Sequence, residues 1–133
     1  MFGCMRECGL LAEAGAAIQA TRRATSATLS ALAEGTPGED ANWSLCHGLS
    51  GSVELLLTAW EQLGHRDHLA AARRIGAAAL KDGAGGAGPW RCGVPLGGGE
   101  TPGLMLGLAG IGATLLRLHD PRRAPSPALF GLG

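Results

Sequence analysis

The chain has 133 residues, enough for one domain with a modest core. Its Lys and Arg balance its Asp and Glu at 11 each, and only 17% of residues are charged, so nothing electrostatic favours nucleic acid or an anionic membrane as a partner. The 23 glycines show no three-residue period, which excludes a collagen-like chain and points to many turns and close helix packing.

Arg6 and Glu7 interrupt the first residues before any long apolar run, and Glu13 ends the next, so no export signal is expected. No run is long enough to span a bilayer, so no membrane partner is expected. A cytoplasmic chain is expected to keep Cys4, Cys8, Cys46 and Cys92 reduced, as core residues or metal ligands rather than disulfides.

Residues from about Cys8 to Glu34 read as one long Ala-rich helix. Leu11, Ile18, Thr25 and Leu32 fall on one stripe, with Ala14 and Leu29 filling it and Arg22 and Arg23 facing solvent. Gly35-Thr36-Pro37-Gly38 ends it. Trp43-Ser44-Leu45-Cys46-His47-Gly48-Leu49-Ser50-Gly51 follows, with a thiol and an imidazole side by side in a tight Gly turn. Both are ordinary zinc ligands. Taken alone the pair is a weak metal signal, and the plain alternative is a free Cys acting as a small buried hydrophobe.

A helix is expected over Ser52 to Leu63. Its stripe of Leu49, Val53, Leu56, Trp60 and Leu63 steps by four, three, four, three. Gly64 closes it. A second helix is expected from Asp67, as N-cap, to Leu80, with His65 and His68 at the surface near its start rather than as a metal pair. Asp82 to Pro89 reads as a flexible Gly-rich connector. No strand precedes it and no Lys-Ser/Thr follows, so it is not a phosphate-binding loop. Cys92, in an irregular stretch, is expected to pack in the core. The last helix is expected over Leu104 to Leu118, with a stripe of Leu104, Leu108, Ile111, Leu115 and Leu118, stopped by Asp120-Pro121.

Gly48-Leu49-Ser50-Gly51 matches Gly107-Leu108-Ala109-Gly110 at an offset of 59 residues. A Gly-Leu-x-Gly turn thus opens a helix twice, about one helical hairpin apart, as in stacked or ringed hairpins.

These blocks resemble the lanthionine synthetase cyclases, in particular the C-terminal cyclase domain of the two-function lanthipeptide synthetases. One matching block is Ser44-Leu45-Cys46-His47-Gly48-Leu49-Ser50-Gly51 with Glu54-Leu55-Leu56-Leu57. The other is Thr101-Pro102-Gly103-Leu104-Met105-Leu106-Gly107-Leu108-Ala109-Gly110-Ile111-Gly112, running through Leu115-Leu116-Arg117-Leu118 to Asp120-Pro121. Trp90-x-Cys92-Gly93-x-Pro95 lies between them. The resemblance implies an all-α fold: a partial α/α toroid, an open fragment of a ring of helical hairpins with Gly-rich loops. It implies that residues 1–133 form a single partial domain, the C-terminal part of a cyclase-like domain.

The resemblance further implies zinc as cofactor, with Cys46 and His47 as two of the family's three ligands, two cysteines and a histidine. In the family the open position takes the thiol of a peptide cysteine, which adds to the β-carbon of a dehydrated Ser or Thr to close a thioether ring. The family's first ligand lies upstream in a Trp-Cys-x-Gly segment that this chain lacks. Cys4, 42 residues before Cys46, is the candidate substitute, with Cys8 behind it. The family's acid/base His and its Asp lie further upstream still, so no residue here inherits a catalytic role.

The expected function is therefore that of a piece of a zinc-dependent cyclase, inactive alone, with a dehydrated precursor peptide or the rest of a cyclase as partner. Self-association through exposed apolar faces is also expected. The alternative is a non-catalytic, truncated helical module that binds peptide or a partner chain. A toroid enzyme acting on glycans or isoprenoids would want paired carboxylates, for which Glu39-Asp40 is a poor source.

Overall fold

The computed structural model describes residues 11–33, 42–85, 88–95 and 99–128. Its described residues form four α-helices and no strand: α1 (Leu11–Ala33), α2 (Leu49–Leu63), α3 (Arg66–Ala79) and α4 (Leu108–His119). A π-helical turn, Leu80–Ala84, extends α3.

In α1, Ala14 and Ile18 are buried against Ala59, Leu55 and Leu63 of α2, as the stripe requires. The side chains of Leu11, Thr25, Leu29 and Leu32, and the ends expected at Cys8 and Glu34, lie outside the described residues. Arg23 is exposed, but Arg22 is half-buried and lines a small cavity, so the expected solvated face holds for one of the two.

α2 begins three residues before the expected start. Gly48 takes the N-cap position with extended backbone, and the Leu49 N–H donates to the Asn42 carbonyl at 3.0 Å. The Gly-x-x-Gly stretch is therefore the first turn of the helix as well as the turn before it. Gly64 ends α2 in the left-handed region at φ 73°, where its N–H caps the Trp60 carbonyl. α3 starts at Arg66 with His65 as N-cap. Asp67 sits in the first turn, where its charge complements the helix dipole without capping through its side chain.

α4 departs furthest from expectation. Leu104 to Gly107 is a tight turn, and the helix starts at Leu108, whose N–H donates to the Thr101 carbonyl at 2.8 Å. Its inward face is Gly110, Ile111, Thr114 and Arg117, while Leu108 and Leu116 are exposed at 37% and 68%. Of the expected stripe, Ile111 is buried and Leu115 and Leu118 pack against the core, while Leu108 is left exposed; Arg117, which lies outside the stripe, is drawn inward beside them. One nitrogen of its guanidinium donates to Glu54 of α2, the other donates to Glu61 at 2.7 Å, and Ser126 Oγ also donates to Glu54, at 2.7 Å.

The main core joins Leu49, Val53, Leu56 and Leu57 of α2 to Ala72 and Ile75 of α3 and Ile111 of α4, with Trp43 and Cys92 from the loops. The supposed connector is anchored to it. Asp82 accepts hydrogen bonds from the Trp43 indole at 2.6 Å and from Arg91 at 3.0 Å. No helix among the described residues is long and apolar enough to cross a membrane.

Candidate functional site

The Cys-His turn is braced from within and from two other segments. Within it, Asn42 Oδ1 accepts the Ser44 N–H at 2.9 Å, and the Ser50 hydroxyl donates to the Trp43 carbonyl. From residues 90–93, the Arg91 carbonyl accepts the Trp43 N–H at 2.8 Å. From the turn before α4, the Met105 carbonyl accepts the Cys46 N–H at 2.9 Å, and the Leu106 carbonyl accepts the Gly93 N–H at 2.7 Å. Three stretches far apart in sequence thus meet at the N-terminal ends of α2 and α4.

The turns before α2 and α4 are built alike. Gly48 and Gly107 both cap with extended backbone, and Leu49 and Leu108 donate to Asn42 and Thr101, partners that are 59 residues apart like the donors. Gly51 and Gly110 lie so close to the Leu45 and Leu104 carbonyls that an added carbon would stand 2.6 and 1.9 Å from them. A side chain at either position would separate helix from turn.

On this platform Cys46 and His47 are adjacent and exposed, and Cys46 is a free thiol. Ser44, two residues before Cys46, is fully buried with an unpartnered Oγ. Gly93 forms a cradle beside it: a side-chain carbon there would stand 2.8 Å from His47 Cε1. Thiolate and imidazole suit zinc, and the orphaned hydroxyl beside the ring suits an oriented ligand. Among the described residues, no group of three His, Cys, Asp or Glu side chains is placed to hold a metal. Cys4 and Cys8 lie outside the described residues. Cys92 is buried in the core, as its packing role requires.

His65 and His68 behave differently from each other. His65 is exposed, whereas His68 is buried, which corrects the expected surface position. Their rings meet edge to face with centroids 5.7 Å apart, beside a cavity of about 150 Å³ lined also by Gln19, Arg22 and Asp67. Burial holds the His68 imidazole below its ordinary pKa, and the nearby Arg22 charge adds to the effect.

Sequence reasoning missed Ser44 and Gly93 as neighbours of His47, and Met105 as neighbour of Cys46. No local signal marks them. The Glu54–Arg117 pair did leave one: a single charge, of opposite sign, inside the apolar run of each of two helices.

The family of lanthionine synthetase C-like proteins has a model that matches residues 10–130. No curated protein and no solved structure gives a match.

Proposed function

This chain belongs to the lanthionine synthetase C-like family, and from that premise we propose that it is a non-catalytic helical module that binds peptide or a partner chain. The observation that carries the reading is the uncovered face of α4. In α2, Leu49, Val53 and Leu57 are 7%, 2% and 0% exposed. Their counterparts 59 positions on are Leu108, Gly112 and Leu116, and the two leucines are 37% and 68% exposed. Met105, 46% exposed, lies in the turn just before the helix, on the side of Leu108 in sequence. A helix opened by the same turn is covered in one instance and bare in the other, as at the open end of a ring of helical hairpins. The partial toroid, and residues 1–133 as one partial domain resembling that of the two-function synthetases, belong to this proposal.

A second reading is favoured by the exposure of Cys46 and His47 beside this face. They are two donors of a cyclase site completed by a third from elsewhere, Cys4 included. Zinc held there would lower the pKa of a bound peptide thiol, the nucleophile for thioether closure. The described residues supply two donors, and no catalytic step is derived from them.

Calorimetric titration with a peptide carrying one cysteine and one dehydroalanine tests the module reading. Binding by the wild-type chain that is lost in Leu116→Glu and retained in Cys46→Ala supports it. Binding that depends on Cys46 and not on Leu116 favours the second reading.

A further inference from the structure

The Ser44 hydroxyl is held in the interior with nothing to bond, which has a desolvation cost and no local structural return. The point where a Gly93 side-chain carbon would stand is 2.6 Å from Ser44 Oγ and 2.8 Å from His47 Cε1. Hydroxyl and imidazole therefore flank the same small gap. Cε1 lies between the two ring nitrogens, so the orientation of the ring decides which of them turns toward the hydroxyl. The surrounding backbone is fixed, because Ser44 N–H is bonded to Asn42 and Gly93 N–H to Leu106.

We propose that Ser44 is a positioning residue for His47. Its Oγ accepts the N–H of the nearer ring nitrogen and holds the imidazole in one tautomer, leaving the lone pair of the other nitrogen free for a cation. Gly93 is the floor that lets the two groups meet. The cation half rests on the reading of Cys46 and His47 as donors; the Ser44–His47 bond does not.

Long-range nitrogen–proton NMR on the metal-free full chain tests the bond directly. The wild-type His47 ring is expected in a single tautomer, and Ser44→Ala as a mixture. Gly93→Ala, which fills the gap and leaves the hydroxyl intact, should disturb the same His47 signals. Cobalt(II) titration reads the second half: Ser44→Ala should weaken binding about 10-fold, the lower end of what loss of a ligand's hydrogen-bond partner does. An identical His47 tautomer in wild type and Ser44→Ala overturns the proposal. A changed tautomer with no cobalt bound by the wild type keeps the Ser44–His47 bond and rejects the donor reading.

Discussion

Replacing Arg117 by Met is expected to be among the most damaging single changes in the chain. The Arg117 and Glu54 side chains are only 3% and 4% exposed, and they tie α4 to α2. Removing one partner of a buried pair costs about 3–5 kcal/mol, mostly because the surviving charge stays buried. Burial already holds the Glu54 carboxyl above its usual pKa, against the lowering effects of Ser126 and Arg117. Glu54 can therefore take up a proton when Arg117 is gone, which places the cost near the lower end, about 3 kcal/mol. That is a large share of the roughly 5–15 kcal/mol typical of a folded domain. The double variant Glu54→Leu, Arg117→Met removes both charges and should recover to within about 1 kcal/mol of wild type, or exceed it. Urea unfolding followed by far-UV circular dichroism measures all three proteins. A loss below about 1 kcal/mol in Arg117→Met, or a double variant worse than the single, refutes the reasoning. The pH dependence gives a further check. A carboxyl whose folded pKa is raised contributes most below its unfolded value and loses that contribution as pH rises through the folded one. The stability of wild type relative to Glu54→Gln should therefore be more favourable at pH 4.5 than at neutral pH.

Two glycines of α4 should respond in opposite directions when changed to Ala. Gly110→Ala puts a carbon 1.9 Å from the Leu104 carbonyl and should cost about 1–3 kcal/mol or more, whereas Gly112→Ala meets nothing within 4 Å and should gain about 0.5–1 kcal/mol from helix propensity; chemical denaturation reads both. Asp82→Ala strands the Trp43 indole N–H in the core, and should lower stability by about 1–3 kcal/mol with a change in tryptophan emission. For His68, whose folded pKa is depressed, stability is fully present above the unfolded value and falls as pH drops through the folded one. Urea midpoints of wild type should therefore decline from pH 7.5 to 5.5 more steeply than those of His68→Gln.

Helix existence was legible because α2 and α3 obey local rules, an apolar stripe in one and a close-packing run of alanines in the other. The start of α2 was less so, since Gly48 and Gly51 serve both the turn and the first helical residues, and the close approach of Gly48 to Asn42 and Ser44 and of Gly51 to Leu45 depends on the folded shape of the turn. The packed face of α4 was legible in Ile111, Leu115 and Leu118, but the burial of Arg117 was not, because hydropathy assumes that charges face water. Arg117 violates the assumption only because Glu54, 63 residues away, waits for it. Asp82 was read as connector for the same reason: its partner Trp43 is distant in sequence. At the candidate site the adjacent Cys46 and His47 were plain in the chain. Their setting was not, because Gly93 reaches His47 only through backbone bonds that join the turn to two remote segments.

Thiol labelling of a dehydrated peptide measures most directly whether this chain binds or catalyses. A peptide with one cysteine and one dehydroalanine is incubated with the purified chain and zinc, then treated with N-ethylmaleimide, which marks the open form and spares the thioether ring. Complete labelling of a peptide that the chain demonstrably binds is the predicted result. Time-dependent loss of labelling that requires Cys46 and His47 would contradict the account and establish the chain as a cyclase in its own right.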